Sequence, residues 1–203
     1  MAKITSADMS GKSEMGSPSA AARILGAARD LFYRQGIRAI GVDEIVKQAG
    51  ATKPSLYRSF ASKDELAATY LRGYEQEFWD RFDKTIAKHP GDPRAGIVAY
   101  LSGLGSRAVK SGYRGCGLTN ACVEYPEPDN PARLVSVANK RQLRARLRAM
   151  AAEMGATEPD DLGDGLLLLI EGTFVTGQLF DTDGPAGAVA KSADRLIAAS
   201  LPR

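Results

Sequence analysis

The chain has 203 residues, of which 44% are hydrophobic and 25% charged, and this composition is typical of folded globular proteins. Two cysteines are too few for a disulfide framework, and the longest apolar run, residues 166–170, is far shorter than the ~20 residues that cross a bilayer. The net charge of +3 is unevenly placed, because residues 1–71 hold ten Lys/Arg against seven Asp/Glu, which leaves seventeen of each in the remainder. These features argue against a secreted disulfide scaffold and a membrane protein, so we expect a cytoplasmic protein with no membrane partner.

The first helical pattern begins at Ser19, where apolar residues start to recur at helical spacing, and it stops near Gly36. Residues 1–18 are rich in Ser, Gly, Lys and Met and contain no apolar run that could serve as a signal peptide. We therefore predict a flexible N-terminal arm over residues 1–18, followed by an amphipathic helix.

Residues 42–66 combine two short helical patterns around a turn that contains Gly50. Thr52 is a suitable N-cap for the second helix, and Pro54 is tolerated in its first turn because the missing N–H has no partner there. Leu56 and Phe60 then lie one turn apart on a buried face. The residues left facing outward are Lys53, Ser55, Tyr57 and Arg58. This pattern predicts a helix-turn-helix, which places its second helix in a groove of DNA.

The rest of the chain is predicted to be helical, so the fold class is all-α. Ser62 and Glu65 form a capping box at the start of a long helix, and Pro90 and Pro93 bracket the break that ends it. Glycine-rich and proline-rich segments separate the later helices. The predicted helices cover residues 63–88, 94–111, 118–124, 132–154, 159–181 and 185–200.

Residues 22–66 resemble the DNA-binding domain of the TetR family of transcriptional regulators without a gap. The resemblance rests on an aromatic pair, a glycine before the second helix and apolar positions in both later helices: Phe32, Tyr33, Gly36, Ile45, Ala49, Leu56, Tyr57, Phe60, Lys63 and Leu66. It implies a homodimer that binds double-stranded operator DNA with two-fold symmetry. It also implies three parts, namely an arm (1–18), a helix-turn-helix domain (19–66) and a regulatory and dimerisation domain (67–203).

The resemblance further implies roles for single residues. Thr52, Lys53, Pro54 and Ser55 would face base edges, and Tyr57 and Arg58 would lie at the groove wall near phosphate. Packing for Tyr57 and a solvated charge for Arg58 are the alternatives. Lys63 and its helix N-terminus would contact phosphate. Gly41 departs from the family, in which Thr or Ser often caps the second helix, so the cap and its phosphate contact are in question.

The regulatory part is expected to dimerise through its last two helices and to hold a pocket for a small-molecule effector of unknown identity, with no cofactor and no metal. Gly172 and Gly177 in an otherwise apolar helix would leave room for a neighbouring backbone. The candidate pocket residues are aromatic and apolar with one or two polar groups: Phe78, Trp79, Phe82, Tyr100, Leu104, Cys116, Leu118, Asn120, Tyr125 and Phe174. Most of them are equally suited to the core.

Other functions remain open at this point. Cys116 follows Arg114 in a glycine-rich run, so a redox- or electrophile-sensing repressor with Cys122 as resolving partner is an alternative to an inert thiol. Five basic residues between 140 and 148 form either a solvated face or a second nucleic-acid site. A protein that binds nucleic acid without sequence preference is a further alternative. An enzyme is not expected, because no catalytic motif is present and His89 is the only histidine.

Overall fold

The computed structural model describes residues 18–180 and 182–202, and these residues form nine α-helices and one short 3-10 helix, with no strand. The predicted arm therefore lies outside the described residues, apart from Pro18. The helices are α1 Ala20–Gln35, α2 Val42–Gln48, α3 Lys53–Ser59, α4 Lys63–Ile86, α5 Pro93–Ala108, α6 Gly117–Glu124, α7 Pro131–Glu153, α8 Pro159–Leu179 and α9 Val189–Ser200, with the 3-10 helix Pro185–Ala188 before α9. The predicted all-α class is confirmed.

Helices α1 to α3 form a small unit whose core is built from buried side chains of all three helices, among them Ile24, Ile45 and Leu56. Side-chain caps begin α1, α3 and α4, as the sequence predicts for Thr52 and Ser62. Arg23 reinforces the turn between α2 and α3, because its guanidinium donates to the carbonyl oxygens of Ala49 (3.2 Å) and Gly50 (3.4 Å). The orientation of α3 is thus fixed from within the unit.

Helix α4 continues across the predicted domain boundary at residue 66, since it starts beside α1 and ends among the helices of the larger part. There it packs against α5 and α7, while α7 packs along α8 and α5 packs against α8 and α9. Helices α7 and α8 approach closely at Gly163 of α8, where an added Cβ would lie only 2.7 Å from the Cα of Arg148 on α7. A glycine is therefore required for this pair of helices to pack.

Helix α8 is apolar on two sides, and only one of them is covered. Gly177 packs against α5 of the same chain, because a Cβ there would lie 2.8 Å from the Cβ of Ala108. Gly172 has open space instead. The uncovered side also carries Leu168, which is 72% exposed, and Val175 and Leu179. The two glycines predicted to share one role thus lie in different environments.

None of the helices in the described ranges is both long enough and apolar enough to cross a membrane.

Candidate DNA interface and central cavity

The predicted DNA-facing residues lie around the N-terminus and the outer side of α3. Thr52 caps the helix by accepting from the backbone N–H of Ser55 at 3.3 Å, which leaves Lys53 and Pro54 exposed in the first turn. The ammonium group of Lys53 lies 2.8 Å from a carboxylate oxygen of Asp43, and this hydrogen bond raises the pKa of Lys53. Ser55 is half-buried.

Tyr57 and Arg58 follow on the same helix and are both exposed. Tyr57 has 53% of its surface in solvent, and it is not among the hydrophobic residues that pack against the core. The side chains at positions 57 and 58 are therefore available to a partner, whereas the exposed Lys53 would first have to exchange Asp43 for that partner.

Lys63 and Gly41 flank α3 from the neighbouring helix starts. Lys63 begins α4, is half-buried, and directs its ammonium group to the carbonyl oxygen of Arg38 at 3.4 Å. Burial lowers its pKa. Gly41 occupies the N-cap position of α2 and provides no side-chain hydrogen bond. Helix α2 therefore begins without a side-chain cap, as expected from a glycine at this position.

A link that the sequence did not reveal joins this unit to the end of α6. A carboxylate oxygen of Glu124 accepts from the backbone N–H of Arg38 at 2.7 Å, and the Arg38 guanidinium donates to the carbonyl oxygen of Glu124 at 3.0 Å. The carboxylate also lies over Gly36, whose φ of 93° is in the left-handed region. Because 86 residues separate Arg38 from Glu124, no local pattern signals this contact.

Two further side chains after α6 hold the start of α4. The Tyr125 hydroxyl and the Asn130 amide each donate to a carboxylate oxygen of Asp64, both at 3.2 Å. Tyr125, predicted as a pocket residue, therefore belongs to this link and does not line the cavity described next.

A cavity of about 810 Å³ lies between α1, α4, α5, α8 and the segment before α6. Four of the predicted pocket residues line it, namely Phe78, Tyr100, Leu104 and Phe174. Its wall also contains tyrosines and basic residues that were not predicted as pocket residues: Tyr33, Tyr70, Tyr74, Tyr113, Arg29, Arg34, Arg81, Arg107, Lys110 and Arg114. The cavity is thus aromatic, as predicted, but it is more polar and more cationic than predicted.

The other six predicted pocket residues lie elsewhere for identifiable reasons. Trp79 and Phe82 do not line the cavity, and the guanidinium of Arg146 lies over both rings, 4.9 and 4.6 Å from their centroids. Three residues of α6 and its N-cap face the core or the preceding loop: Cys116 and Leu118 are buried, and Asn120 donates to the carbonyl oxygen of Arg114 at 2.8 Å. Tyr125 is the sixth, and it binds Asp64.

The cavity tyrosines are neutral hydrogen-bonding groups, because burial raises the pKa of Tyr70, Tyr74, Tyr100 and Tyr113 above the usual range. The Tyr70 hydroxyl is buried and has no hydrogen-bond partner in the described part of the chain. Burial lowers the pKa of Arg107, and repulsion from Arg81 adds to the effect. These features describe a wall with unused donors and uncompensated positive charge.

The two cysteines are not arranged for a disulfide. Cys116 is only 1% exposed, and the cation at its sulfur is Lys140, at 3.6 Å, rather than its sequence neighbour Arg114. Cys122 is half-buried, and burial raises the pKa of its thiol. Six residues along a helix correspond to a rise of about 9 Å, which is beyond disulfide reach unless α6 unwinds.

The basic residues of α7 are mostly neutralised by carboxylates. Arg144 and Arg148 bind Asp164 at 2.6 and 2.7 Å, and Lys140 binds Glu171 at 2.8 Å. Arg146 pairs with Asp83. The described residues contain no group of three His, Cys, Asp or Glu side chains that could hold a metal ion.

Comparison with known proteins gives a consistent assignment. The family model "Bacterial regulatory proteins, tetR family" matches residues 24–70. An uncharacterized HTH-type transcriptional regulator of Mycobacterium tuberculosis is 44% identical over 52 residues, which is 26% of each chain. The regulator LmrA of Bacillus subtilis is 34% identical over 82 residues, covering 40% of this chain and 44% of LmrA. The matches to these curated relatives thus span less than half of their length.

Solved structures match over nearly the whole described chain. A Streptomyces avermitilis protein assigned to the TetR transcriptional regulators is 31% identical, with a TM-score of 0.81, and the match covers 90% of this chain and 98% of that one. A TetR-family transcriptional regulator from Streptomyces coelicolor is 27% identical, with a TM-score of 0.79 and coverage of 90% and 94%. The similar proteins are regulators of transcription and not enzymes.

Proposed function

The chain belongs to the TetR family of transcriptional regulators, and we propose that it is a repressor that binds a palindromic operator as a homodimer and releases it when a small molecule occupies the cavity. The observation that carries this proposal is the position of α6, which contacts the cavity wall at one end and the DNA-binding unit at the other. An added Cβ at Gly117 would lie 2.8 Å from the hydroxyl of Tyr70, a cavity residue. Glu124, seven residues later, holds Arg38.

In the proposed complex, α3 enters the major groove. Thr52, Lys53, Pro54 and Ser55 face base edges, because they form the first turn of the recognition helix. The remaining predicted contacts are to the backbone: Tyr57 and Arg58 at the groove wall, Lys63 with the N-terminus of α4 at phosphate, and the uncapped N–H groups after Gly41.

The proposed dimer forms through the uncovered side of α8. Leu168, Val175 and Leu179 recur at a spacing of seven and four residues, so they share one face, and Gly172 between them allows close approach of a second helix. Phe180 extends the same apolar surface. Burying these side chains against a second copy removes a large exposed apolar stripe from water, which favours association.

Release follows from the contacts of α6. A ligand between Tyr70 and the segment that contains Gly115 displaces the start of α6, and the displacement reaches Arg38 through Glu124. Because Arg38 lies in the loop between α1 and α2, its movement reorients the recognition helix. Sensing through a Cys116–Cys122 disulfide is less favoured, since it requires α6 to unwind and Cys116 is buried.

Selection of bound sequences from random DNA tests the DNA-binding part of the proposal. We expect a palindrome that is bound about a thousandfold more tightly than random DNA. A ratio near one would instead indicate a protein that binds nucleic acid without sequence preference.

Substitution of Leu168 tests the dimer. Leu168→Glu places a charge on the most exposed apolar residue of the stripe, so we expect monomers in sedimentation experiments and loss of operator binding. Ser102→Glu introduces the same charge at an exposed site of α5 and serves as the control. A dimeric Leu168→Glu protein with normal operator affinity would exclude the α8 interface.

A further inference from the structure

We propose that the cavity takes an aromatic acid, that is, a small molecule with a flat apolar body that packs among the tyrosine and phenylalanine rings and a carboxylate that binds the guanidinium groups of Arg81 and Arg107. The inference rests on the proposed function, because it takes the cavity to be the effector site. It adds the chemical class of the effector.

The apolar body of the ligand follows from the deeper wall of the cavity. Phe78, Tyr100, Leu104 and Phe174 are all buried, and they come from three different helices, so they surround one space. The rings of Phe78 and Tyr100 lie edge to face, with centroids 6.4 Å apart. Aromatic rings prefer this geometry, and a flat ring between them would meet both edges and faces.

The charge of the ligand follows from the residues nearer to solvent. Five basic side chains of the wall form no ion pair with any described residue, namely Arg34, Arg81, Arg107, Lys110 and Arg114. The sixth, Arg29, is neutralised by Glu77 at 2.6 Å. Asp30 is the one carboxylate of the wall within the described ranges, and it is exposed. The cavity therefore repels cations and attracts anions.

Arg81 of α4 and Arg107 of α5 both line the cavity and could bind one carboxylate together. Arg107 is half-buried beside the tyrosines, and its pKa is lowered first by burial and then by repulsion from Arg81. An anion between the two guanidinium groups removes this repulsion. A guanidinium also matches the planar geometry of a carboxylate with two parallel hydrogen bonds.

The tyrosines complete the recognition of an acid. The Tyr70 hydroxyl is buried without a partner, and its raised pKa keeps the proton that it would donate to a ligand oxygen. Arg34 belongs to α1 and Arg114 to the segment that leads into α6. An anion in the cavity is thus attracted to side chains of both the DNA-binding unit and the segment that leads into α6.

A matched pair of probes tests the inference by titration calorimetry. The probes are 2-naphthoate and 2-naphthamide, which share the ring system and differ in charge. We expect the carboxylate to bind at least about tenfold more tightly than the amide, as for a charged hydrogen-bonding partner. Arg107→Gln and, separately, Arg81→Gln should each reduce naphthoate affinity about tenfold and leave naphthamide affinity unchanged. Arg141→Gln on the exposed side of α7 removes the same charge away from the cavity and should change neither.

Three results would overturn the inference: equal affinity for both probes, equal loss of both in Arg107→Gln and Arg81→Gln, or no binding of either. Gel shifts with the selected operator, recorded on the same samples, separate this inference from the proposed function. If naphthoate binds through Arg81 and Arg107 but the operator stays bound, the chemical class stands and ligand-controlled release fails. If the operator is released equally by both probes, release stands and the acid preference fails.

Discussion

The basic residues of α7 and those of the cavity wall are equal in number but differ in their partners. Of the six in α7, Lys140, Arg144, Arg146 and Arg148 are bound to carboxylates. Arg133 donates to the carbonyl oxygens of Cys122 and Tyr125, and Arg141 has no ion-pair partner among the described residues. Of the five cavity residues named above other than Arg29, none forms an ion pair within the described residues. In the sequence, α7 is the more conspicuous basic segment, yet its charge is largely neutralised inside the molecule.

This difference teaches that a candidate anion-binding surface is identified by basic side chains without carboxylate partners. The density of basic residues along the sequence does not identify it. A neutralised cation has already exchanged water for a carboxylate, so a ligand gains little from it. The cavity cations lie beside neutral tyrosine hydroxyls instead. The two regions should consequently respond to different substitutions, and the carboxylate Asp164 should respond to acid whereas the cavity tyrosines respond to alkali.

The largest expected effect is alkaline destabilisation caused by the cavity tyrosines. Tyr70, Tyr74 and Tyr100 have raised pKa values in the folded state, so above pH 10 the unfolded chain loses protons that the folded chain keeps. The free energy of unfolding therefore falls as pH rises, by up to about 1.4 kcal/mol per pH unit for each tyrosine. Lys140, whose pKa is also raised, contributes in the same direction above pH 10.5. Urea unfolding followed by circular dichroism at pH 8, 10 and 11 measures the slope.

Tyr70→Phe is the control for this slope, because it keeps the ring and removes a hydroxyl that has no partner. We expect it to be as stable as the parent protein at pH 8 and to lose less stability between pH 10 and 11. An identical slope in both proteins would mean that Tyr70 titrates normally and that the cavity wall is more hydrated than the structure indicates.

A smaller loss of stability is expected when one cation of α7 loses its carboxylate partner. Glu171→Gln leaves Lys140 without its carboxylate in a site where the two side chains are only 18% and 26% exposed. Loss of one partner of a buried pair costs about 3 to 5 kcal/mol, so for this partly exposed pair we expect about 2 kcal/mol from urea unfolding. Asp194→Asn breaks the more exposed pair with Arg94 and should change stability by less than about 1 kcal/mol.

The double variant Lys140→Met, Glu171→Gln distinguishes an unpaired charge from lost packing. It should recover much of the stability, because no uncompensated ammonium group remains. If it is no more stable than Glu171→Gln alone, an unpaired ammonium group is not the main cause of the loss, or its removal is offset by the loss of the cation–π contacts of Lys140 with Phe78 and Phe174.

A weaker effect is expected at acidic pH, where the free energy of unfolding should depend on the carboxylate that pairs with Arg144 and Arg148. Hydrogen bonds from Arg144 and then Arg148 hold the pKa of Asp164 well below its usual range. Its contribution to stability is therefore present above the ordinary aspartate pKa of about 3.9 and is lost as pH falls through the folded pKa. The stability difference between the parent protein and Asp164→Asn should be constant from pH 5 to 7 and should decrease below pH 4. A difference that is independent of pH would show that these hydrogen bonds do not depend on the charge of Asp164.

The sequence predicted what depends on local geometry. The caps at Thr52 and Ser62, the missing cap at Gly41 and the bounds of the α-helices, to within about four residues, are properties of neighbouring residues. The cavity wall is different, because Arg34, Arg81, Arg107 and Arg114 come from four separate segments that meet only in the fold. Trp79 was misplaced for a related reason: periodicity shows that an aromatic residue is apolar, but not which of two buried sides of α4 it faces.

The smallest expected effect is on the salt dependence of operator binding. Variants in α7 are compared here with a variant at one of the proposed DNA contacts. Replacing Arg141, Arg144 and Arg148 with glutamine should leave the slope of log affinity against log salt unchanged, because two of the three are bound to Asp164 and none lies near α3. Lys63→Gln should lower the magnitude of the slope by about one, since one phosphate contact is lost. Circular dichroism must show that both proteins are folded. A shallower slope in the triple variant would mean that DNA competes successfully with Asp164 for these arginines, and internal pairing would then not suffice to tell a structural cation from one that binds a partner.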